Sequence, residues 1–530
     1  MRKKVIALLL AVFLCFNLAA CKGNSSAGAQ GDNQASGVNN AKINIAYNAA
    51  DSFNPYTCKT VLNRNLSTLI YEPLIKVDSS FNTVNVLASG YSVNGNVLTV
   101  SLKNANFSDG SPVLADDVVY SFNLAKASGG VYAAKLTTVE SAEIRDNLTV
   151  LFKLKNNDRL GINLLTFPVI KMGSDQLKNQ DNVFLPPIGS GRYLLNAEQT
   201  ALTYNGGWHG GNINIGTLNL INAPDSESLA HSVEIGAIDY YYTDLSDRNI
   251  IRMSGQRVNI NLNNLVYLGL NLNSNNFSNA YMRHAISAAI GRTQICEQGY
   301  YNNALAATGI YNPVWETSKG AQTIENLSNL KIALENLAEI GYNRKDENGY
   351  FVNYHGNPIT FNLLVNEENV FRVNAANLIR EQLKAAGIKV NVNAVSYQRY
   401  IEILNAKSFD MYIGEVNITN NMDISSVVTA GGSVAYGIKP VKTEQPKNDE
   451  TTQVNPNPES DEKAALQSVI SLYFNGSGNI PDIAATAISE MPVIPICYRM
   501  GVLFCSDKIE VNNSACADDI FFNIENIKLK

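Results

Sequence analysis

Ile359-Thr-Phe-Asn-Leu-Leu-Val365, Val373 to Ala386 closed by Gly387, Ile388-Lys-Val-Asn-Val392, Ser396 to Ala406 and Phe409-Asp-Met-Tyr-Ile413 follow one another in regular alternation. The short β-branched and aromatic runs read as strands, and the stretches between them repeat their apolar residues at helical spacing. Strands separated by helices of this length require crossover connections and a largely parallel sheet, so this part of the chain is an α/β unit. Upstream, Leu330 to Ile340 reads as an amphipathic helix ending at Gly341, and Ser278 as the cap of a helix with Met282, Ala285, Ala289 and Ile290 on its apolar face.

Nearer the N-terminus the period changes. Val97-Leu-Thr-Val-Ser-Leu102 and Leu148-Thr-Val-Leu-Phe-Lys-Leu154 read as half-buried strands, the second following an Asp146-Asn147 turn. Between them Phe107-Ser-Asp-Gly-Ser-Pro112 predicts a tight turn. A helix is expected after it, with Asp116 and Asp117 in its first turn and Leu114, Val118, Phe122 and Ala125 recurring on one face.

The 530 residues are too many for one core and suit two or three compact units. Arg2, Lys3 and Lys4 precede the apolar run Val5 to Phe16 and then Leu18-Ala-Ala-Cys21, the layout of an export signal over residues 1–20. The apolar run is shorter than the roughly 20 residues needed to span a bilayer. Cys21 is the expected lipidation site, and two acyl chains there would hold the chain stably on the extracytoplasmic face of the cell membrane. Residues 21–40, dominated by Gly, Ser, Asn, Gln and Ala, are expected to form a flexible tether. A second polar stretch, 439–463, is rich in Pro, Glu, Asp, Lys and Thr and is expected to be a mobile insertion.

Composition excludes several functions. The sequence holds 41 basic and 47 acidic residues, and loss of Arg2, Lys3 and Lys4 with the signal makes it about nine charges negative, which argues against a nucleic-acid partner. No His-Glu-x-x-His, phosphate-binding loop or Gly-x-Ser-x-Gly is present, so no enzymatic activity is expected. His209, His231, His284 and His355 lie far apart, and Arg344 stands where a calcium loop over Asp346 to Gly349 would need its first acid; no metal or cofactor is expected. Gly189-Ser-Gly191 lacks the third glycine of a dinucleotide loop and reads as a turn. Cys58, Cys296, Cys497, Cys505 and Cys516 leave an odd number for pairing; free thiols and one disulfide among the last three are both open.

Six segments in order carry a resemblance. Phe107-Ser-Asp-Gly-Ser-Pro-Val-Leu-Ala-Asp-Asp-Val118, Ile188-Gly-Ser-Gly-Arg-Tyr193, Tyr267-Leu-Gly-Leu-Asn271 with Met282 to Arg292, Leu383-Lys-Ala-Ala-Gly-Ile388, Phe409-Asp410 and Pro492-Val-Ile-Pro-Ile496 resemble the family 5 extracellular solute-binding proteins, the oligopeptide and dipeptide binding lipoproteins of ABC importers. The resemblance implies a two-lobed α/β fold like that of periplasmic binding proteins, with mixed sheets, hinge strands and a discontinuous first lobe. Lobe one would span 41–268, with a subdomain at about 76–186, and return at 502–530; lobe two would span 269–501. It further implies a monomer that takes a peptide or other small solute between the lobes. Closure about Tyr267 to Asn271 and Ile496 to Val502 would then present the loaded form to a permease. A ligand-sensing surface receptor on the same scaffold and a surface hydrolase remain as alternatives.

The candidate ligand residues follow from that frame. Tyr267 and Tyr498 lie at the expected crossings, where a tyrosine can pack its ring and bond through its hydroxyl; Asn48 and Asp51 lie at the end of the first strand. Peptide-binding members usually carry a Gly-Trp segment with an aspartate for the ligand's amino terminus, whereas this chain has Gly414-Glu-Val-Asn-Ile-Thr-Asn-Asn-Met-Asp423. Glu415 or Asp423 is the expected substitute, with Asn417 between them.

Overall fold

A computed structural model describes residues 41–246, 251, 253–439 and 458–530, with backbone alone for 458–464. The expected signal, Cys21 and tether lie outside the described residues, as does 440–457 of the expected insertion. Residues 458–463 of that insertion are helical, forming the start of the helix Pro458–Phe474.

The alternating segment forms strand Thr360–Asn366, helix Val370–Ala385, strand Lys389–Val395, helix Tyr397–Asn405 and strand Met411–Asn417. Thr360–Asn366 lies in the middle, parallel to both neighbours. Asn369 and Ser396 cap the two helices by accepting from the N–H groups of Arg372 and Arg399, and Gly387 leaves the first helix at φ 82°. Phe371, Ala375, Ala376, Ile379 and Leu383 form the buried stripe that seats Val370–Ala385 on the sheet.

The main sheet runs Lys389–Val395, Thr360–Asn366, Met411–Asn417, Gln256–Leu270, Val493–Cys505, Tyr240–Thr243, Lys42–Tyr47, Thr217–Asn222, Ala201–Tyr204, Tyr193–Leu195. Its two central strands are antiparallel and long, and they connect the halves. Gln256 to Asn261 pair with Met500 to Cys505, and Leu265 to Gly269 pair with Val493 to Tyr498 on one side and with Tyr412 to Val416 on the other. The register shifts between Asn261 and Leu265 and again between Val266 and Tyr267, where the crossing expected at Tyr267 to Asn271 begins. A bulge frees backbone groups from the ladder. Here they are taken up: Asn312 Nδ2 donates to the Leu262 carbonyl at 3.0 Å, and the Ile418 N–H donates to the Asn263 carbonyl at 2.9 Å.

Within 76–186 a separate antiparallel sheet forms from Ala88–Asn94, Val97–Leu102, Thr149–Leu154 and Val139–Asp146. Helix Ala115–Ala127 packs on it through Phe122, whose ring meets Phe152 edge-on at 5.6 Å. Leu114 occupies its cap position without a side-chain acceptor; Asp117 Oδ2 instead accepts the Leu114 N–H at 2.9 Å. The Phe107 to Pro112 turn meets the Gly189 turn, the Ser108 N–H donating to the Gly189 carbonyl at 2.9 Å. Gly189 and Gly191 are required there by crowding, since a Cβ would stand 2.2 Å and 2.4 Å from the Ile70 backbone.

Helix Ala280–Ala289 is capped by Asn279 and not by Ser278, whose hydroxyl is engaged with the Asn275 carbonyl at 3.0 Å. Cys58, Cys296, Cys497, Cys505 and Cys516 are free thiols. Cys497 and Cys505 share one extended strand, which holds them about 26 Å apart.

Candidate ligand site

A cavity of about 510 Å³ opens between the two halves. Arg64, Tyr132, Lys135 and Asp518 wall it on one side, and Asn264, Asn417 and Thr419 on the other. Its volume lies within the range of small-molecule sites. A smaller cavity of about 150 Å³, lined by Lys135, Asn417, Asn421 and Asp423, adjoins it.

The turn at 418–423, which follows Met411–Asn417, bridges the sides. Asn420 Nδ2 donates to Asp518 Oδ2 at 2.5 Å, and Asp518 Oδ1 accepts from Lys135 Nζ at 2.7 Å. Asn163 Nδ2 donates to the Asn420 carbonyl at 3.2 Å, and Asn421 Nδ2 to Asp158 Oδ2 at 2.7 Å. Residues 158, 163 and 518 belong to segments far from the turn in sequence, so these bonds set how closely the sides approach.

Asp158 makes this contact pH-dependent. Burial, reinforced by the nearby charge of Asp423, pushes its carboxyl up to about 6 against the opposing bonds from Asn421 and the Leu160 N–H. Because the value is raised from 3.8, the contribution to docking is complete below about pH 4 and is lost as pH rises through about 6. Asp158→Asn is therefore expected to be more stable than the parent at pH 7 by about 1–2 kcal/mol, with the difference vanishing below about pH 4. Urea unfolding at several pH values measures this. A parent and variant with the same pH slope would contradict it.

The structure sorts the seven residues singled out in the sequence. Asn417 lines both cavities and Asp423 the smaller one. Asp423 Oδ1 also accepts the Ser425 N–H at 2.9 Å. Tyr267 and Tyr498 are fully buried: the Tyr267 hydroxyl donates to the Val434 carbonyl at 3.2 Å and its ring meets Tyr412, and the Tyr498 hydroxyl donates to the Ile310 carbonyl at 2.5 Å. Neither lines the cavity. Asn48 and Asp51 build the loop ahead of helix Val61–Ile70. Asn48 donates to the Pro224 carbonyl, and Asp51 accepts from the N–H groups of Lys59 and Thr60 and the Thr60 hydroxyl. Those bonds hold the Asp51 carboxyl below its usual range although burial works the other way.

Glu415 has its partners inside the protein. Arg372 Nη2 donates to Oε2 at 2.6 Å, Arg499 Nε to Oε1 at 2.7 Å and Asn264 Nδ2 to Oε1 at 2.8 Å. Burial would raise its carboxyl, but the two guanidiniums outweigh it and hold the group ionised. A carboxylate so engaged is not available to a ligand ammonium.

Sequence reasoning missed Arg64, Lys135, Asp158, Arg372, Arg499 and Asp518. Arg499 carried a readable signal: it is the one charge in Val493–Cys505, whose thirteen residues are all buried. A lone charge in such a strand demands a partner. The others lie in ordinary polar stretches and gain meaning through contacts distant in sequence.

Comparison with known proteins places this geometry. Residues 82–437 match the bacterial extracellular solute-binding proteins, family 5 middle region. The oligopeptide-binding protein AppA of Bacillus subtilis is 24% identical over 77% of this chain and 80% of its own length. Among solved structures, the periplasmic murein tripeptide binding protein MppA in its unliganded open form superposes with a TM-score of 0.71 at 16% identity, covering 93% of this chain and 98% of that one. NikA of Brucella suis, in complex with Fe(III)-EDTA, superposes with a TM-score of 0.66 at 17% identity, covering 92% and 100%. The structural likenesses establish the periplasmic-binding-protein fold, and the family match spans most of the chain. The chain belongs to the family 5 bacterial extracellular solute-binding proteins.

Proposed function

We propose that this chain is the lipid-anchored, extracytoplasmic binding subunit of an ABC importer, capturing a peptide or peptide-like solute between its lobes and delivering it to the permease. The cavity walled by Arg64, Lys135 and Asp518 on one side and Asn417 and Thr419 on the other carries this reading. A pocket with walls from both halves of a two-lobed protein couples occupancy to closure. Its lobes divide as 41–268 with 502–530 against 269–501 and close about Tyr267 to Asn271 and Ile496 to Val502, a reading supported by the register shift between Val266 and Tyr267. The names of relatives that take an oligopeptide and a murein tripeptide support a peptide-like ligand. The protein acts as a monomer, and the anchor at Cys21 keeps it beside the permease.

Calorimetry of the purified mature protein with a tripeptide to pentapeptide library is expected to give saturable binding, with ligand-dependent compaction in small-angle scattering. Absence of binding by any peptide, amino-acid derivative, sugar or metal chelate would sink the proposal. Cys21→Ala is expected to move the protein from the membrane fraction to the soluble one, because loss of two acyl chains removes stable anchoring. An unchanged membrane fraction would refute the anchor.

A further inference from the structure

Cys296 and Cys497 stand apart from the other thiols. Cys497 lies on the crossing strand Val493–Cys505 with no exposed surface, and Cys296, 6% exposed, lies in the helical turn Ile295–Gly299. Both belong to one apolar core. The chain after Cys296 doubles back toward the strand: the Cys296 carbonyl accepts the Asn302 N–H at 2.9 Å, and Ala304–Ala306 then pairs antiparallel with Val493–Cys505, setting Ala306 opposite Cys497. This fold-back brings the two sulfur atoms together, and the Cys497 thiol is in hydrogen-bonding contact with Cys296. The Arg292 guanidinium, four residues before Cys296, lies close enough to act on both.

The remaining thiols have other neighbours. Cys58 Sγ donates to the Pro55 carbonyl at 3.7 Å, and Cys516 Sγ to the Asp519 carbonyl at 3.5 Å. Cys505 shares an extended strand with Cys497, which keeps the two well beyond the roughly 7 Å Cα separation that a disulfide tolerates. Two thiols in contact in a cytoplasmic protein stay reduced, but this family is extracellular, where disulfides form and persist.

We infer that Cys296 and Cys497 are joined by a disulfide in the exported protein. In the joining step one thiol, as thiolate, attacks an external disulfide and the other thiol then displaces the mixed disulfide. One S–S bond forms in the protein, both cysteines lose their protons and two electrons, and the external disulfide leaves as two thiols. Burial pushes the Cys497 thiol up and hinders this exchange once the strand is covered, so the bond forms while the chain is folding. Both residues fall within 269–501, so the bond fastens the crossing strand to its own lobe and leaves the cleft free to close. It closes a loop of about 200 residues, a strong restraint on the unfolded chain.

The test is differential alkylation of the full chain, exported by its expression host and denatured in alkylating agent without reductant, followed by peptide mass spectrometry. Cys58, Cys505 and Cys516 are expected to take the label and Cys296 and Cys497 to escape it; after reduction all five are labelled. The unreduced digest should contain the Cys296 and Cys497 peptides as one species, about 2 Da lighter than their sum. In Cys296→Ala, Cys497 should become labelled. A phosphine reductant should lower the urea midpoint of the parent and leave that of Cys296→Ala in place. Labelling of Cys296 and Cys497 in the unreduced parent overturns the inference, as does a bridge from either one to another cysteine. The parent's digest decides the matter even if the variant does not fold.

Discussion

Asp519→Ala should destabilise the protein by about 3–5 kcal/mol, because it strips a fully buried carboxylate from two buried cations. Asp519 Oδ2 accepts from Lys76 Nζ at 2.5 Å and Arg192 Nη2 at 3.2 Å, and Oδ1 from the Thr68 hydroxyl at 2.8 Å and the Phe521 N–H at 3.0 Å. The Asp519 side chain is 1% exposed, Arg192 5% and Lys76 11%. After truncation Arg192 keeps Glu525 at 2.8 Å, but Lys76 keeps no acid partner among the described residues. Asp519→Asn retains the shape and loses the charge, so a smaller loss is expected. Burial alone would raise the Asp519 carboxyl; Lys76 and Arg192 outweigh it and depress the value. A depressed carboxyl contributes stability above its unfolded value and loses it as pH falls through the folded one, so the parent's advantage over Asp519→Asn should shrink below about pH 4. Urea unfolding across pH 3–7 tests both parts. An alanine variant within 1 kcal/mol of the parent would show that this network does not secure the C-terminal segment.

The network also gives Arg192, which follows the Gly189 to Gly191 turn, its partners: Nη1 donates to the Phe521 carbonyl at 3.0 Å and to Glu525 at 2.8 Å. The C-terminal segment is thereby fixed against helix Val61–Ile70, and Asp518, on the cavity wall, is placed beside Lys135.

What could be read from the sequence was what local period encodes. The strands and helices between 360 and 417 follow from runs of β-branched residues, helical spacing, and caps at Asn369, Ser396 and Gly387. Period alone does not say what lies opposite a residue. Tyr267 alternates correctly for a crossing strand, yet its side of the sheet meets Tyr412 and not the cavity. Glu415 was legible as an acid near a ligand but not as a paired one, because Arg372 is 43 residues away and Arg499 is 84. The cavity wall is drawn from helix Val61–Ile70, from 131–135, from Tyr242 and from 517–519. Only the folded topology brings these pieces together.

Arg292→Met is expected to cost about 3–5 kcal/mol, and Arg292→Lys is expected not to rescue it. Arg292 has no exposed surface, and among the described residues no acid lies within ion-pair distance. Its guanidinium bonds the backbone: Nε to the Pro495 carbonyl at 2.8 Å, and Nη1 to the carbonyls of Ser287, Ile290 and Glu325 at 3.1, 3.3 and 3.3 Å; Nη2 donates to the Ser287 hydroxyl at 2.8 Å. Ser287 and Ile290 end helix Ala280–Ala289, where free carbonyls favour a cation. Burial lowers the guanidinium only to about 10, so it stays charged at neutral pH. Methionine fills the space and removes every donor. Lysine, a single ammonium on a flexible stem, cannot serve carbonyls spread from 287 to 495, and burial would press it toward neutrality. Pro495 lies on the crossing strand four residues before Arg499. Denaturant unfolding of the parent and both variants measures this, and a lysine variant as stable as the parent would show that charge, not the planar set of donors, is what this position requires.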